Sequence, residues 1–252
     1  MGSLEDKVVL VTGSSHGIGA AVAALFAEHG ARVVVHGRDA AAMSAVTARI
    51  ERAGGRAIAV AADVTSFAEV EAMRRTIEDE LGPVDVLVAN AGGNPVPPGP
   101  VEQISEEGWR ASVDANLTAT FLTVKSFLPG MKERKAGTII TMSSAAARRP
   151  DARSPVPYAA AKAGIQILTQ DLAAQAGPSG VRVNCLAPET ILTERNQQQI
   201  PEPVQEQLAG MHPLRRLGTP QDVARAAVYL ASDEAAWITG VILDVAGGAV
   251  MV

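Results

Sequence analysis

The chain has 252 residues, of which 47% are hydrophobic and only 3% aromatic, so its core must be built mainly from Ala, Val, Ile and Leu. A formal net charge of −5 argues against a nucleic-acid groove or an anionic membrane as the main partner, and no apolar stretch reaches the length of a membrane span. The single cysteine, Cys185, cannot form an internal disulfide, which predicts a reducing compartment, the cytoplasm.

Short apolar runs alternate with longer helical patterns along the chain. Strands are predicted at residues 8–11, 32–35, 56–61, 84–88, 138–142, 182–186 and 241–245. Helices are predicted at residues 18–28, 40–52, 67–81, 105–117, 119–134, 158–176 and 221–231. Continuous apolar strands separated by helices form parallel sheets covered on both faces, so the pattern predicts a doubly wound α/β fold. We expect a single domain, 1–252.

Two segments break this alternation. Residues 92–100 are rich in proline, and residues 189–216 are polar, rich in glutamine and weakly periodic. Both follow predicted strands, and ligands of open α/β sheets bind at the carboxyl ends of the strands. We therefore predict that both segments form walls of a substrate pocket, with 189–216 as a loop that acts as its lid.

A glycine-rich turn joins the first predicted strand to the first predicted helix. Gly13, Gly17 and Gly19 lie in this turn. Glycine permits a tight turn and lets a pyrophosphate approach the backbone, and the N-terminus of the following helix offers unpaired N–H groups. The placement predicts a dinucleotide-phosphate site, and a plain glycine-rich turn is the alternative.

The end of the second predicted strand indicates which dinucleotide binds. The sequence there is His36-Gly37-Arg38-Asp39. An acidic residue would accept the ribose 2′-hydroxyl of NAD, but Gly37 stands in that place, and the guanidinium of Arg38 suits a 2′-phosphate. We therefore expect NADP(H) in preference to NAD(H). Alternatively, Arg38 is solvated and Asp39 caps the second helix or binds the ribose.

Tyr158 and Lys162 are separated by one helical turn, which places the phenol and the ammonium on one helix face. An ordinary phenol, with a pKa of about 10, is a poor acid–base catalyst near neutrality, and a neighbouring cation lowers that pKa. The pair therefore predicts a general acid/base for hydride transfer. The alternative is an amphipathic helix with a half-buried tyrosine and a solvated lysine.

Together these motifs resemble the short-chain dehydrogenase/reductase family over essentially the full chain, and its 3-oxoacyl carrier-protein reductase-like branch in particular. The matching residues are Thr12-Gly-x3-Gly-x-Gly19, Asp63-Val64, Asn90-Ala-Gly92, Asn116, Ser144, Tyr158-x3-Lys162, Asn184-x3-Pro188, Arg216 to Ala224 and Ile238 to Gly248. The resemblance implies a Rossmann-type sheet of about seven strands in the order 3-2-1-4-5-6-7. It also implies an NADP-preferring oxidoreductase that acts on CH–OH groups as a homotetramer.

The resemblance also implies a role for each matching residue. Tyr158 would exchange a proton with the carbonyl or alcohol substrate, and Lys162 would bind the nicotinamide ribose and lower the Tyr158 pKa. Ser144 would orient the carbonyl, and Asn116 would hold a water for proton relay. The cofactor-binding residues would be Gly13, Ser15, His16, Gly17, Ile18, Gly19, Arg38, Asp63, Val64, Asn90, Ala91, Gly92, Tyr158, Lys162, Pro188, Ile191 and Thr193. No metal site is expected.

Several of these residues have a structural alternative. Asp63 could simply start the turn into the third helix, and Asn116 could bridge two helices in a polar kink. Ser143 competes with Ser144, which we prefer because its distance to Tyr158 is nearer to the spacing usual in the family. The spacing exceeds the usual one by one residue, which predicts a bulge within residues 145–157.

Two further features bear on the substrate. Glu189 stands where the family usually has glycine and would add bulk and negative charge beside the pocket. Arg148, Arg149 and Arg153 could attract an anionic substrate, although solvated surface arginines are the simpler interpretation. The neutral turn at residues 177–180 argues against a carrier protein as partner. We therefore expect a small carbonyl or alcohol compound.

Three other functions remain as alternatives. A non-catalytic NADP(H)-binding sensor or scaffold usually lacks the tyrosine or the lysine, and both are present here as Tyr158 and Lys162. Reduction of a 3-oxoacyl thioester is a narrower form of the main hypothesis. Dehydration or epimerisation with a retained cofactor would be excluded by net consumption of NADPH.

Overall fold

The computed structural model describes residues 4–151 and 154–251 of the chain. Seven parallel strands form one sheet in the order β3-β2-β1-β4-β5-β6-β7, which confirms the predicted doubly wound topology. The strands are β1 (Val8–Val11), β2 (Arg32–Gly37), β3 (Arg56–Ala61), β4 (Val86–Ala89), β5 (Gly137–Met142), β6 (Val181–Pro188) and β7 (Ile242–Val245). Since the strand order reverses between β1 and β4, a crevice opens at their carboxyl ends.

Nine α-helices occur among the described residues and cover both faces of the sheet. They are α1 (Gly17–Glu28), α2 (Ala40–Arg52), α3 (Phe67–Leu81), α4 (Glu106–Val113), α5 (Ala119–Arg134), α6 (Val156–Ala176), α7 (Glu194–Gln199), α8 (Glu202–Met211) and α9 (Pro220–Ala231). Within the described ranges, none of them combines the length and the apolar character needed to cross a membrane.

The side chains of the strands alternate between two apolar layers. Val9 and Val11 of β1 belong to the layer that includes Phe26 of α1. Leu10 of the same strand points the other way, into a layer that includes Phe127 of α5. All five of these side chains are at most 4% exposed, so hydrophobic burial holds the sheet between its two helical layers.

The segment from residue 189 to 216 differs from the prediction, because it contains the helices α7 and α8. Neither helix has a fully buried residue. A helix that lies on the surface without a buried face carries no strong apolar periodicity, and so its sequence pattern was that of a loop.

The predicted break between α4 and α5 is also absent. The backbone continues through a π-helical turn at Asp114–Thr118. Such a turn carries one extra residue per turn and is frequent at functional sites, and it brings Asn116 inward between the two helices.

Candidate active site

A cleft of about 970 Å³ opens at the carboxyl ends of the central strands. One wall is the turn between β1 and α1, and the opposite wall is the start of α6. Most of the predicted cofactor residues line this cleft, namely Gly13, His16, Gly17, Ile18, Gly19, Asn90, Gly92, Tyr158, Lys162, Pro188, Ile191 and Thr193. Ser144 lines it as well, whereas Ser15, Arg38, Asp63, Val64 and Ala91 do not.

The glycine turn leaves its backbone open to the cleft. Gly13 and Gly17 have positive φ angles, of 65° and 55°. A side chain on Gly19 would collide with the Gly13 carbonyl oxygen, and one on Gly17 would come within 3.2 Å of Thr193 Cγ2. The following helix begins at Gly17, so its free N–H groups point into this cradle. Such a cradle fits a pyrophosphate group.

Hydrogen bonds hold the floor of the cleft in place where β1 and β4 diverge. Thr12 Oγ1 accepts hydrogen bonds at 3.0 Å from the backbone N–H groups of Asn90 and Ala91. Asn90 Nδ2 donates to the carbonyl oxygens of Thr12 and Gly13, at 2.9 and 3.1 Å. The predicted Asn-Ala-Gly floor is therefore bonded directly to the start of the glycine turn.

Asn116 lies behind this floor and is fully buried. Its Nδ2 donates to the carbonyl oxygens of Gly93 and Ser112, both at 2.8 Å, and its Oδ1 accepts from the Gly93 N–H at 3.2 Å. A side chain on Gly92 would come within 2.6 Å of Asn116 Oδ1. The amide thus bridges α4 and the loop after β4 rather than the two helices of the structural alternative, and its proton-relay role remains a prediction.

The structure separates the two adjacent serines. Ser143 is 3% exposed, and its Oγ donates to the Lys162 carbonyl oxygen and accepts from Gln166 Nε2, both at 2.9 Å. Ser144 faces the cleft and hydrogen-bonds the Tyr158 phenol. Of the two, only Ser144 is therefore placed to contact a carbonyl beside Tyr158.

Tyr158 and Lys162 share one face of α6, as the spacing predicted. The Lys162 ammonium lies 5.6 Å from the centre of the Tyr158 ring and donates to the Met142 carbonyl oxygen at 2.8 Å. The lysine is 4% exposed, so the alternative of a solvated lysine is wrong.

The pKa values of this pair are set mainly by burial. Burial raises the pKa of the Tyr158 phenol, and the hydrogen bond with Ser144 opposes that rise only in part. Burial also lowers the pKa of Lys162 to about 8. The lowering of the Tyr158 pKa that we expected from Lys162 is therefore not found, because burial favours the protonated phenol and makes it a weaker acid.

The carboxyl end of β2 carries Arg38, which is exposed and makes no hydrogen bond or ion pair with the described residues. Asp39 Oδ1 accepts the Ala42 N–H at 3.0 Å, so Asp39 caps α2 as its structural alternative predicted. Asp63 Oδ1 accepts from both the backbone N–H and the hydroxyl of Thr65, which holds the Asp63 pKa below its ordinary value. Its proposed contact with adenine remains a prediction.

Glu189 is an ion-paired residue on the wall of the cleft. Its carboxylate accepts from the Thr190 N–H, lies 3.0 Å from His212 Nε2 and lies 3.8 Å from Arg149 Nη2. Burial raises the pKa of Glu189, but the hydrogen bonds from Thr190 and His212 outweigh burial and hold it below its ordinary value. Because His212 sits at the end of α8, this pair ties the 189–216 segment to the end of β6.

Arg148 and Arg149, the two described arginines after Ser144, are not free cations. Arg148 Nε is 3.0 Å from Asp244 Oδ1, and both side chains are less than 20% exposed, so this pair fastens the loop to β7. Arg149 faces Glu189. Arg153 lies outside the described residues. The loop contains a short 3-10 turn at Ala145–Ala147, and residues 152–153 of the predicted bulge also lie outside the described residues.

Sequence reasoning assigned no role to two groups that shape the site. One is His36, whose imidazole lies beneath the glycine turn. The other is His212, the partner of Glu189. A histidine that ends the strand beside a phosphate turn was a usable signal for the first. The second depends on a contact between residues far apart in sequence, which no local pattern reveals.

Comparison with known proteins relates the whole chain to one family. Residues 13–250 match the family model described as enoyl-(acyl carrier protein) reductase. The chain is 39% identical over 250 residues to the 3-oxoacyl-[acyl-carrier-protein] reductase of Vibrio cholerae, with 99% of this chain and 100% of the relative covered.

Solved structures agree with this result. A 3-oxoacyl-[acyl-carrier protein] reductase from Brucella melitensis with bound NAD has a TM-score of 0.90 and 35% identity, covering 99% of this chain and 93% of that chain. A 7α-hydroxysteroid dehydrogenase complexed with NADH and 7-oxoglycochenodeoxycholic acid has a TM-score of 0.93 and 36% identity, covering 98% of this chain and 96% of that chain.

Proposed function

This chain belongs to the short-chain dehydrogenase/reductase family, and we propose that it reduces a small carbonyl compound with NADPH, using Tyr158 as the proton donor. The protein is an oxidoreductase of the 3-oxoacyl carrier-protein reductase-like branch that acts on a carbonyl/alcohol pair. Its preferred cofactor, its substrate and the roles of its residues belong to the proposal.

One observation carries the proposal. Ser144 and Tyr158 are hydrogen-bonded on one wall of the cleft, and the open glycine turn forms the other wall. Lys162 is buried one turn below Tyr158. A dinucleotide whose pyrophosphate lay on the glycine turn would run along the cleft towards this pair of hydroxyl groups.

The chemistry follows from the protonation states of these groups. A reduced nicotinamide, when bound, supplies the hydride that reaches the carbonyl carbon. The Ser144 hydroxyl donates a hydrogen bond to the carbonyl oxygen and so stabilises the negative charge that develops there. The Tyr158 phenol, kept protonated by burial, transfers its proton to that oxygen and completes the alcohol. Lys162 would bind the nicotinamide ribose.

The direct test is to follow the oxidation of NADPH and of NADH against a panel of ketones, keto acids, oxo-steroids and acyl thioesters. We expect turnover of at least one small ketone with net consumption of NADPH. No turnover of any carbonyl compound by cofactor-bound protein would contradict the proposal, as would product formation without consumption of cofactor.

A 3-oxoacyl thioester is the second candidate substrate. The similarity to the Vibrio cholerae reductase favours it. The pairing of Arg148 with Asp244 and of Arg149 with Glu189 speaks against it, because these two cations are already neutralised and offer no basic docking face for an acidic carrier protein. The acyl thioester arm of the panel decides between the two.

The preference for NADP(H) rests on the end of β2. Gly37 offers no carboxylate, and a side chain there would meet Ser15 Oγ at 3.0 Å. Arg38 is exposed beside it. Because Arg38 makes no hydrogen bond or ion pair with the described residues, its guanidinium is available to a 2′-phosphate.

Replacing Arg38 with Asp is expected to reverse the cofactor preference. The new carboxylate would repel the 2′-phosphate and accept the 2′-hydroxyl of NAD, so kcat/KM with NADPH should fall about 10²-fold, which is roughly 3 kcal/mol. The matched control is Arg52→Asp, at an exposed arginine at the other end of α2. Equal losses of kcat/KM with NADPH in both variants would show that the effect comes from net charge and not from a contact made by Arg38.

The two serines provide a second prediction. Ser144→Ala should lower kcat by about 10²-fold with little change in the unfolding midpoint, because its hydroxyl stabilises charge in the transition state. Ser143→Ala should change kcat little but destabilise the fold by about 1–2 kcal/mol, because it leaves buried hydrogen-bond partners unpaired. Steady-state kinetics and thermal unfolding on the same samples measure both effects. A larger loss of kcat in Ser143→Ala would reverse the assignment.

We further propose that the chain assembles as a homotetramer through the faces of α5 and α6. Phe121 of α5 and Ile167 of α6 are 47% and 58% exposed in the single chain, which leaves apolar surface for a partner to cover. Light scattering should give about four times the 26.0 kDa chain mass. Ile167→Asp should reduce that mass, whereas Val204→Asp, on exposed α8, should not. A wild-type monomer would refute the proposal.

The remaining proposals concern the lid and the location. We propose that residues 189–216 cover the substrate, since Thr193 reaches over the glycine turn.

A cytoplasmic location is supported by Cys185, a buried free thiol, and cell fractionation tests it.

A further inference from the structure

The side chain of His36 lies beneath the glycine turn rather than in the cleft and is 2% exposed. The Gly13 N–H donates to its Nδ1 at 3.0 Å. Its Nε2 lies 3.1 Å from the carbonyl oxygen of Ala62, just beyond β3. The ring therefore joins the turn after β1 to the ends of β2 and β3.

Only one form of the ring satisfies both contacts. Nδ1 must accept the Gly13 N–H, and Nε2 must donate to a carbonyl oxygen, so the ring must be neutral with its proton on Nε2. Protonation of Nδ1 would set an N–H against the Gly13 N–H. The hydrogen bond would then be lost, and a part-buried donor would be left without its partner.

The backbone around His36 fastens the same turn. The Ser14 N–H donates to the His36 carbonyl oxygen at 2.8 Å, and the His36 N–H donates to Ser14 Oγ at 2.9 Å. These bonds are independent of the state of the ring. The imidazole is therefore the titratable member of a set of bonds that orders the turn.

Burial and three neighbouring groups determine the proton affinity of the ring. Burial lowers the pKa of His36, the hydrogen bond with Ala62 and the charge of Asp63 oppose this lowering, and the charge of Arg38 adds to it. Asp63 follows β3 and Arg38 follows β2. His16, the other titratable group of the turn, lines the cleft and faces Ser15 Oγ instead.

We propose that His36 is a positioning residue for the cofactor. In its neutral form it holds Gly13, and with it the turn, in the conformation that presents the start of α1 to a pyrophosphate. Protonation releases Gly13 and weakens dinucleotide binding. A turn that is ordered before binding loses less conformational entropy when the ligand arrives, so the hydrogen bond acts on affinity. The inference rests on the proposed placement of the cofactor at the glycine turn.

Two variants distinguish the effect of the hydrogen-bond acceptor on cofactor binding from the effect of side-chain size. His36→Asn keeps an oxygen acceptor near the place of Nδ1 and cannot titrate, whereas His36→Leu keeps bulk without an acceptor. Calorimetric titration with NADP+ near pH 7.5 should give a Kd for His36→Leu about tenfold above wild type, because one hydrogen bond from a part-buried N–H is lost. His36→Asn should stay close to wild type.

The dependence of Kd on pH is a second readout, and it remains valid even if His36→Leu does not fold. Wild-type affinity should fall only when the pH drops through the lowered pKa of His36, which lies below the ordinary histidine value, because the ring of the folded protein stays neutral above it. The 2′-phosphate of NADP+ titrates equally in both proteins, so a shallower pH dependence in His36→Asn isolates the histidine. Nitrogen-15 NMR of the imidazole should show the tautomer with the proton on Nε2.

Two results would overturn the inference. One is a wild-type Kd in folded His36→Leu, and the other is the same pH dependence in wild type and His36→Asn. Gly19→Ala, whose methyl group would collide with the Gly13 carbonyl oxygen, separates this failure from failure of the proposed function. If Gly19→Ala binds NADP+ normally, the cofactor site is misplaced and the inference falls with it. If it binds weakly while His36→Leu does not, only the inference falls.

Discussion

Replacing Tyr158 with phenylalanine is expected to lower kcat for carbonyl reduction by about 10³-fold, within the range that general acid catalysis supplies. The reason is that the ring remains while the proton donor is removed. The phenol that burial keeps protonated is the group hydrogen-bonded to Ser144. The Kd for NADP+ should stay near its wild-type value, because the glycine turn is untouched. Single-turnover kinetics and calorimetry measure the two quantities.

The chain offers a matched control for this change. Its other tyrosine, Tyr229, is 40% exposed on α9 and lies outside the residues that line the cleft. Tyr229→Phe should leave kcat unaltered. If Tyr158→Phe also kept full turnover, the proton donor would be another group, and the role proposed for Tyr158 would be wrong.

Replacing Lys162 with methionine is expected to reduce kcat/KM by at least about 10²-fold, since it removes a hydrogen-bonded cation from a buried active site. Unlike Tyr158→Phe, it should also weaken NADP+ binding, because Lys162 is the proposed ligand of the nicotinamide ribose. The two variants therefore differ in calorimetry although both lose turnover. Unchanged NADP+ affinity in Lys162→Met would remove the ribose contact from the proposal.

The same substitution is expected to stabilise the fold. Burial lowers the pKa of Lys162 from 10.5 to about 8, a cost of roughly 3 kcal/mol to the charged form below pH 8. Loss of the hydrogen bond to the Met142 carbonyl oxygen offsets about 1 kcal/mol of the gain. The net gain of about 2 kcal/mol should raise the unfolding midpoint by about 4–8 °C in a chain of this length.

The direction in which the free energy of unfolding changes with pH tests whether burial penalises the charged form of Lys162. Between pH 8 and 10.5 the unfolded chain binds more protons at Lys162 than the folded chain, so the wild-type free energy of unfolding should rise with pH across that window. In Lys162→Met this rise should be absent. A wild-type protein whose stability at this site fell with increasing pH would mean that the ammonium is stabilised, not penalised, by its surroundings.

The amino-acid sequence by itself determined the layout of the fold. Continuous apolar strands such as Val8–Val11 alternate with helices, and this pattern indicates a parallel sheet because the helices that connect parallel strands cover both of its faces. Local chemistry also placed the glycine turn, the cap at Asp39 and the shared helix face of Tyr158 and Lys162, since each depends on spacing within a few residues.

Only the tertiary structure decided what depends on contacts between distant segments. Burial, which no spacing reveals, raises the pKa of Tyr158 where the neighbouring lysine alone predicted a lower one. The choice between Ser143 and Ser144 required the position of α6, and the pairing of Glu189 with His212 required the end of α8 to lie beside the end of β6. These features arise from desolvation and from hydrogen bonds across the fold, which are set by three-dimensional proximity rather than by order along the chain.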